Sequence, residues 1–297
     1  MSSHTIANAN YIDKVLTRNS SRSYSDYYKD YLLSIQFSLD GFSFCVIDIE
    51  RNKHIAIKSF FFQEIEDYET LCNEIDDIIS ENELLKRAFH TININFESQK
   101  STLVPSPLFD KSEIDSYLKF NHKIQHDEEI FFDEMKNLEA YNIYAIPNCI
   151  REKIRSKFYK YKISNFSSTL IESLLINHKN QSLKNKVFTN IRSSYFDIII
   201  IEDKQLIFYN AFRYRTKEDL IYFLIFTLEQ LKLNPETIDL VLLGEINKSS
   251  NYYEILFNYI RNISFIERND YFKYSYVLDE VPSNYYYNLL NISLCEL

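Results

Sequence analysis

Residues 31–62 read YLLSIQFSLDGFSFCVIDIERNKHIAIKSFFF, and this stretch decides the fold class of the chain. It contains three runs rich in β-branched and aromatic residues, at 32–38, 42–49 and 55–62. Asp40-Gly41 makes the first break and residues 50–53 make the second, and both breaks are typical of tight turns between strands. The stretch therefore predicts an antiparallel meander of three β-strands.

The rest of the first half alternates helices with strands. Apolar residues recur at helical spacing over 67–86, and TININF at 91–96 alternates as a half-buried strand does. Further on, Ile150, Ile154 and Phe158 form the apolar stripe of a helix. The predicted elements in this part are a strand at 141–146, a helix that begins at 147, a strand at 161–166 and a helix at 169–177.

The second half repeats this order. Thr216 and Asp219 resemble a capping box at the start of a long apolar helix, which we expect to be buried on more than one side. The predicted elements are strands at 187–192, 195–201 and 205–214, a helix at 216–231, a strand at 238–243, a helix at 252–260, a strand at 263–266 and a helix at 282–294. A β-β-β-α-β-α-β-α unit that returns after roughly 155 residues indicates an internal duplication.

Three segments organise the chain. Residues 1–28 are polar without a clear period, and they predict a weakly ordered arm with one short helix. Residues 29–182 form a first α/β lobe with an insertion at about 97–137, and residues 183–297 form a second lobe. The insertion is expected to hold a short helix near 112–120 and an extended segment at 129–135. Two such lobes imply a cleft between them, where ligands of α/β folds tend to bind.

Charge and cysteine content limit the classes of function. A net charge of −9 and a pI of about 5.3 disfavour general nucleic-acid binding, which relies on cations that contact phosphates. The four cysteines have no metal or redox spacing, and we expect a reducing compartment. The N-terminus does not match a signal peptide, and the longest apolar stretch, 220–228, is too short for a membrane span. The chain is therefore expected to be soluble and cytoplasmic.

Glycine is nearly absent, since Gly41 and Gly244 are the only two among 297 residues. Glycine is the residue that lets a backbone approach a phosphate closely or adopt a positive φ angle. The chain therefore cannot build a glycine-rich phosphate loop, a dinucleotide fingerprint or a nucleophile elbow.

The duplicated order resembles the ribonuclease H-like lobes of the actin-like ATPase superfamily, which includes actin and the sugar kinases. With an insertion in the first lobe, it is most similar to the branch of the pilus-assembly protein PilM and the cell-division protein FtsA. A closer resemblance links the chain to a Bacteroidota family of unknown function with this fold. The resembling segments are LSIQFSLDGFSFCVID at 33–48, NAFRYRTKEDLIYFLIFTLEQL at 210–231, LVLLGEI at 240–246 and NYYYNLLNISLCEL at 284–297.

The resemblance identifies positions where nucleotide motifs have changed. Active members carry D-x-G in the first hairpin of each lobe, where aspartates position Mg²⁺ and glycines let backbone N–H groups reach phosphate. In the first lobe Gln36 and Ser38 stand at these positions, and in the second lobe Asn190 and Arg192 do. The adenosine-binding glycine pair is reduced to Gly244-Glu245.

These changes imply weak or absent ATP hydrolysis. Amide side chains are poorer metal ligands than carboxylates. The Arg192 side chain would fill the space that a phosphate enters, although its charge would attract one. Glu245 would repel a phosphate if its carboxylate pointed inward.

Several of these positions also have a purely structural interpretation. Asp40-Gly41 is either a displaced phosphate-loop remnant or a plain turn, and the dipeptide favours the turn. Gly244-Glu245 either contacts an adenine or ribose or only allows a tight turn after a strand, and both remain open. Hydrogen-bond donors at the second hairpin either bind an anion or form a polar hairpin tip, and the tip is favoured. These donors lie on Asn190, Arg192, Ser193 and Ser194.

Two other charged groups are interpreted as surface features. His122 and His126 have i, i+4 spacing but lack the full zinc-binding pattern, so they are assigned to a charged loop. A dense basic run should form the solvated face of its helix, and RNA or an acidic partner is the less favoured alternative. This run contains Arg151, Lys153, Arg155, Lys157, Lys160 and Lys162. No catalytic residue and no metal site is predicted.

The leading hypothesis is a non-catalytic protein that acts as a cytoplasmic interaction or scaffold module. A protein partner would contact the insertion and the lobe surfaces, by analogy with the PilM and FtsA branch. The alternative is a nucleotide-binding protein or slow ATPase that holds Mg-ATP in the cleft between the lobes. A third hypothesis, RNA or ribosome binding through the basic run, is opposed by the acidic total charge.

Overall fold

The computed structural model describes residues 5–18, 30–63, 65–179, 186–202, 205–295 and 297. Backbone contacts divide the chain into two compact units. The first takes the residues up to Ser173 together with Asp270–Glu280 and Asn288–Leu297, and the second takes Leu174–Asn269 and Val281–Tyr287. The predicted boundary between 182 and 183 therefore misses two late returns of the chain to the first unit. Such returns depend on long-range packing, which local periodicity does not report.

The predicted meander forms the middle of the first unit's sheet. The strands β2 (Tyr31–Ser38), β3 (Gly41–Asp48) and β4 (Lys53–Phe62) pair antiparallel in sequence order. On the other side of β2, β5 (Thr91–Phe96) pairs parallel with β2, and β9 (Lys162–Asn165) pairs parallel with β5. The order β4-β3-β2-β5-β9 is the arrangement expected for one unit of the duplication.

The predicted N-terminal arm is wrong for the residues that the structure describes. Thr5–Ile12 form a strand, β1, which pairs antiparallel with β4 at the edge of the sheet. The short helix α1 (Val15–Arg18) follows, in agreement with the expected single helix. The polar composition of this segment hid the strand because an edge strand needs few apolar residues. Residues 1–4 and 19–29 of the predicted arm lie outside the described residues.

Three helices accompany this sheet, each close to its predicted position. Asp67 caps α2 (Tyr68–Glu81), because its carboxylate accepts a hydrogen bond of 2.8 Å from the Thr70 N–H. The helix ends five residues earlier than expected, since Asn82 is extended and donates to the Ile78 carbonyl oxygen. The other two helices are α4 (Asn148–Lys157), with its predicted stripe buried, and α5 (Phe166–Asn177).

The insertion forms a small sheet of its own. It contains β6 (Ser101–Pro105), α3 (Ile114–Asn121) and β7 (Glu128–Met135), so the expected helix and extended segment are confirmed. The strand β8 (Ala140–Pro147) was assigned to the repeated unit, but it lies between β6 and β7 and pairs antiparallel with both. The insertion is therefore longer than 97–137. A buried cluster of Val104, Leu118, Ile143 and Ala145 holds it together.

The second unit confirms the duplication. Its sheet has the order β12-β11-β10-β13-β14, which matches the order β4-β3-β2-β5-β9 strand for strand. The first strand of the meander, β10, pairs parallel with β13, and β13 pairs parallel with β14. The strands are β10 (Lys186–Ile191), β11 (Tyr195–Glu202), β12 (Gln205–Arg213), β13 (Asp239–Gly244) and β14 (Asn262–Phe265). The turn predicted at Asp203 and Lys204 lies outside the described residues.

The long helix of this unit is less buried than expected. In α6 (Lys217–Gln230) the capping box of Thr216 and Asp219 is present, as predicted. Leu220, Leu224 and Leu228 are buried, but Tyr222 and Phe226 on the opposite side are exposed. The helix therefore packs through one face only. The unit also contains α7 (Asn251–Tyr259), which the sequence predicted at 252–260.

The C-terminal part differs most from the prediction. The expected helix at 282–294 is reduced to α8 (Tyr287–Asn291) and one 3₁₀ turn, Ile292–Leu294. A short strand, β15 (Lys273–Tyr274), was not predicted and pairs parallel with β4. Within the described residues, no helix combines the length and apolar character needed to cross a membrane.

Candidate functional site

Polar side chains form a row across three parallel strands of the first unit. Gln36 on β2 lies opposite Asn95 on β5, and Asn95 lies opposite Ser164 on β9. All three are close to the carboxyl ends of their strands, the edge at which α/β folds bind ligands. Asn95 is fully buried, and its amide nitrogen lies 3.1 Å from Ser164 Oγ and 2.8 Å from Thr169 Oγ1. The row is thus closed by hydrogen bonds along its length.

Asn288 occupies the space beside this row. Its amide nitrogen donates to Gln36 Oε1 at 3.0 Å and to Asn95 Oδ1 at 2.9 Å. Asn288 belongs to α8 and is buried in the first unit. Gln36, which the resemblance predicts at the aspartate position of active members, is therefore hydrogen-bonded to a side chain 252 residues away in sequence.

The first hairpin turns one residue earlier than the predicted Asp40-Gly41. The two residues between the strands are Leu39 and Asp40, and Gly41 already pairs with Ser38. Ser38 Oγ accepts a hydrogen bond of 3.1 Å from the Asp40 N–H. A Cβ atom at Gly41 would lie 2.6 Å from the Phe60 carbonyl oxygen of β4. Gly41 is therefore required by a close approach of two strands, which supports the structural interpretation of this dipeptide.

A buried carboxylate organises the corresponding position of the second unit. Asp197 on β11 is fully buried and lies opposite Asn190 on β10. Its Oδ2 accepts hydrogen bonds from Asn190 Nδ2 at 2.9 Å and from Arg192 Nε at 3.1 Å. Its Oδ1 accepts from Arg192 Nη2 and from the Tyr209 hydroxyl, both at 3.1 Å. Arg192 is thus part of an ion pair and its guanidinium is turned toward the sheet.

The remaining candidates of this unit lie at the carboxyl ends of β10 and β13. Ser193 and Ser194 form the turn between β10 and β11, which agrees with a polar hairpin tip. Gly244 has a φ of +84°, and a Cβ atom there would lie 2.0 Å from the Ile191 carbonyl oxygen and 2.9 Å from Asn190 Oδ1. Glu245 follows with an exposed side chain, and its N–H donates to the same Ile191 carbonyl oxygen. The structure therefore brings Asn190, Arg192, Gly244 and Glu245 together.

A second buried carboxylate ties the insertion to the first unit. Asp133 of β7 accepts hydrogen bonds from the Asn165 N–H at 2.7 Å and from the Tyr144 hydroxyl at 3.0 Å. Burial raises the pKa of Asp133 to about 6, although hydrogen bonds from Ser168, Asn165 and Tyr144 act in the opposite direction. The first residues of α5 lie beside this carboxylate, where the helix dipole favours negative charge.

The predicted surface groups make contacts with other parts of the protein. His122 Nε2 lies 3.0 Å from the Ser101 carbonyl oxygen, and within the described ranges no cluster of three His, Cys, Asp or Glu side chains could hold a metal ion. Lys153 and Lys157 of the basic run form ion pairs with Asp76 of α2. Part of the positive charge in this run is therefore neutralised by the protein itself.

The sequence analysis did not single out Asn95, Asp133, Asp197 or Asn288. Asp197 left a signal, because it is the one charge within the apolar run YFDIIII of a strand expected to be buried on both faces. Asn95 lies on the polar side of an alternating strand and looked like a solvent-facing residue. Asn288 left no local signal, since its partners lie about 190 and 250 residues away in sequence.

Both glycines should prove essential for stability. We expect Gly41→Ala to lower the free energy of unfolding by about 1 to 3 kcal/mol, because the new Cβ would collide with a backbone oxygen. Gly244→Ala should cost more, since it adds a strained positive φ to a closer collision. Urea denaturation checks this order, with Asn210→Ala on the exposed side of β12 as control. Equal stability of Gly244→Ala and the wild type would contradict the close approach.

Asp133 should make stability depend on pH. With its pKa raised from 3.8 to about 6, the folded chain keeps a proton that the unfolded chain has lost. Its contribution is complete below pH 3.8 and is lost as the pH rises through 6. Relative to Asp133→Asn, the wild type should therefore lose roughly 2 to 3 kcal/mol of unfolding free energy between about pH 4 and 7.5. Denaturation at several pH values measures this, and the exposed Asp115→Asn control should show no such trend.

Three solved structures are similar to this chain over most of its length. A Bacteroides thetaiotaomicron protein of actin-like ATPase fold and unknown function has 23% identity and a TM-score of 0.74, covering 93% of this chain and 100% of that chain. The PilM–PilN type IV pilus biogenesis complex has 11% identity and a TM-score of 0.62, covering 89% and 97%. The ethanolamine utilization protein EutJ from Carboxydothermus hydrogenoformans has 8% identity and a TM-score of 0.50, covering 89% of each.

These similarities confirm the actin-like ATPase fold and the expected likeness to PilM. None of the curated protein sequences matches the chain. A family model matches residues 23–263, which is most of the chain, and agrees with the resemblance to a family of unknown function. The chain therefore belongs to the family described as "Protein of unknown function (DUF3822)".

Proposed function

We propose that this protein is a non-catalytic member of the actin-like fold that acts as a cytoplasmic interaction or scaffold module. The observation that carries the proposal is the internal hydrogen bonding of the residues at the predicted nucleotide motifs. Gln36, Asn190 and Arg192 all form hydrogen bonds within their own unit. They stabilise the protein at the positions where active relatives hold Mg²⁺ and phosphate.

The second unit argues most strongly against metal binding in the manner of active relatives. A carboxylate has about four lone-pair sites, and Asp197 uses four in its bonds to Asn190, Arg192 and Tyr209. A metal ion could bind only by displacing a charged guanidinium from a buried carboxylate. Removing one partner of such a buried pair costs about 3 to 5 kcal/mol.

The two residues paired with Gln36 on the adjacent strands are Ser43 and Asn95, and neither is a carboxylate. The neighbouring strand positions carry Asn95 and Ser164, both neutral and both bonded to each other. Neutral amides and hydroxyls are weaker ligands of Mg²⁺ than carboxylates. The residues present at both motifs therefore do not fit a magnesium nucleotide bound as active relatives bind it.

The insertion supplies a surface on which a partner could bind. Phe120 of α3 is 88% exposed and Leu108 is 69% exposed, which is unusual for large apolar side chains on a small subdomain. The similar PilM structure is that of a PilM–PilN complex, so a protein of this fold does bind another protein. This likeness supports an interaction role for the fold, and the exposed residues of the insertion are our candidates for the contact.

The second candidate function is nucleotide binding with altered ligands or slow ATP hydrolysis. One observation favours it, because Gly244 keeps its backbone close to Asn190 and so preserves a glycine turn beside the old phosphate position. The cation of Arg192 and the hydroxyls of Ser193 and Ser194 are also nearby in sequence. This candidate requires Arg192 to leave Asp197 when a phosphate arrives.

Thermal unfolding with millimolar Mg-ATP or ADP separates the two candidates. A ligand present at about 100 times its Kd adds roughly 2.7 kcal/mol to the unfolding free energy. We expect no change in Tm with either nucleotide, because the motif residues are engaged internally. A clear rise in Tm, together with nucleotide turnover, would contradict the proposal and establish the second candidate.

The variant Asp197→Asn serves as the matched comparison. It preserves the shape of the side chain but removes the charge that holds Arg192. If the variant binds ATP and the wild type does not, the Asp197–Arg192 ion pair is what prevents nucleotide binding. Binding by the wild type that Arg192→Gln abolishes would instead favour the nucleotide-binding alternative.

The partner surface can be tested with the double substitution of Leu108→Ser and Phe120→Ser. Since both side chains are exposed, the variant should fold with an unchanged Tm. We expect it to recover far less of any partner that the wild type cross-links in its native cells. Tyr222→Ser on α6 is the matched control, because Tyr222 is an exposed aromatic residue of the other unit. Equal partner recovery by the double variant would exclude the insertion as the contact.

A further inference from the structure

Two cysteines far apart in sequence meet where α2 packs against α4. Cys149 is the second residue of α4, and its Sγ lies 3.8 Å from the carbonyl oxygen of Tyr68 at the start of α2. Cys72 follows Tyr68 by four residues, so both lie on the same face of α2. This face of α2 therefore presents the Cys72 thiol beside Cys149.

The next turn of each helix fixes the alignment. Asp76 follows Cys72 by one turn, and Lys153 follows Cys149 by one turn. The Lys153 ammonium lies 3.2 Å from an Asp76 carboxylate oxygen. Cys149 lies near enough to Cys72 to raise the pKa of the Cys72 thiol further. The two sulphur atoms thus occupy equivalent places one turn before an ion pair between the helices.

The two thiols differ in environment. Cys149 is exposed and Cys72 is buried. Burial raises the pKa of Cys72 to about 12, with a further increase from Cys149, while Lys153 acts to lower it and Glu69 to raise it. An oxidant from solution therefore reaches Cys149 first. The other two cysteines lie elsewhere, since Cys45 contacts the Leu289 carbonyl and Cys295 the Thr169 carbonyl.

We propose that Cys72 and Cys149 are a redox pair that hydroperoxides oxidise to an intramolecular disulfide. Cytosolic disulfides are usually transient and redox-sensing, and a typical sensor places an accessible thiol next to a second, resolving one. Cys149 is the accessible thiol and Cys72 the resolving thiol. The pair could not be recognised from local sequence patterns, because 77 positions separate the two residues.

The reaction proceeds in two balanced steps. Cys149 loses its proton and its sulphur attacks a peroxide oxygen, so an S–O bond forms, the O–O bond breaks, and the leaving oxygen takes up a proton as water or alcohol. The Cys72 sulphur then attacks the Cys149 sulphur. The S–S bond forms, the S–O bond breaks, and the hydroxyl group leaves with the Cys72 proton as water. Two thiols are oxidised and one hydroperoxide is reduced.

The disulfide would enclose the insertion. The segment between Cys72 and Cys149 contains β5 and all three strands of the inserted sheet. Oxidation would therefore join α2 to the helix that follows the insertion and restrict both ends of that subdomain. A thiol reductant would release it.

Thiol titration and peptide mapping of the full-length wild type test the proposal. After treatment with hydrogen peroxide, the number of thiols titratable in denaturant should fall from four to two. Mass spectrometry should show a loss of about 2 Da and one cross-linked peptide that contains Cys72 and Cys149. Dithiothreitol should restore all four thiols. The oxidised protein should remain monomeric on a non-reducing gel and should melt at a higher temperature than the reduced protein.

Variants separate this pair from the other cysteines. Cys72→Ser and Cys149→Ser should each abolish the cross-linked peptide, whereas Cys45→Ala should leave it intact. Disulfide-linked dimers through Cys149, or sulfinic acid at Cys149 with Cys72 still reduced, would overturn the proposal. The wild-type peptide map decides the matter even if a cysteine variant fails to fold.

Discussion

The buried carboxylate of Asp197 imposes the strictest requirement on this structure. An ionised group with no access to solvent needs a donor for each lone pair, or its burial is strongly unfavourable. Asp197 on β11 accepts hydrogen bonds from Asn190 on β10, from Arg192 just after β10 and from Tyr209 on β12, so one side chain links three strands. Two of the residues predicted at the nucleotide motif of the second unit, Asn190 and Arg192, are therefore donors that this carboxylate requires.

The first unit meets a similar requirement with neutral groups. Its row of Gln36, Asn95 and Ser164 makes the carboxyl ends of the strands polar, and Asn288 donates to both Gln36 and Asn95. The two units share one strand order, but the polar groups at this edge are hydrogen-bonded differently. The first unit uses amides and the second uses an ion pair.

Most of the fold could be predicted from the sequence, because the strands of both meanders and the major helices carry strong local periods. The capping box at Thr216 and the stripe of Ile150 and Ile154 are examples in which local chemistry was sufficient. What failed depended on partners distant in sequence. β1 is polar and owes its strand form to β4, and β8 has the pattern of any buried strand, so its assignment to the inserted sheet was not visible. For the same reason the candidate residues could be named while their partners Asn288 and Asp197 could not.

The first unit is discontinuous along the chain, and this has a consequence for its biosynthesis. Residues 270–280 and 288–297 belong to it, β15 pairs with β4, and Asn288 completes the Gln36–Asn95 contact. A ribosome releases these two segments after residues 174–269 of the second unit have emerged. The second unit can therefore fold while the first still lacks its final segments, although the first is synthesised earlier. A chain that stops before residue 288 would leave the buried Asn95 amide oxygen without its donor from Asn288, so such a copy should be less stable than one that contains this residue.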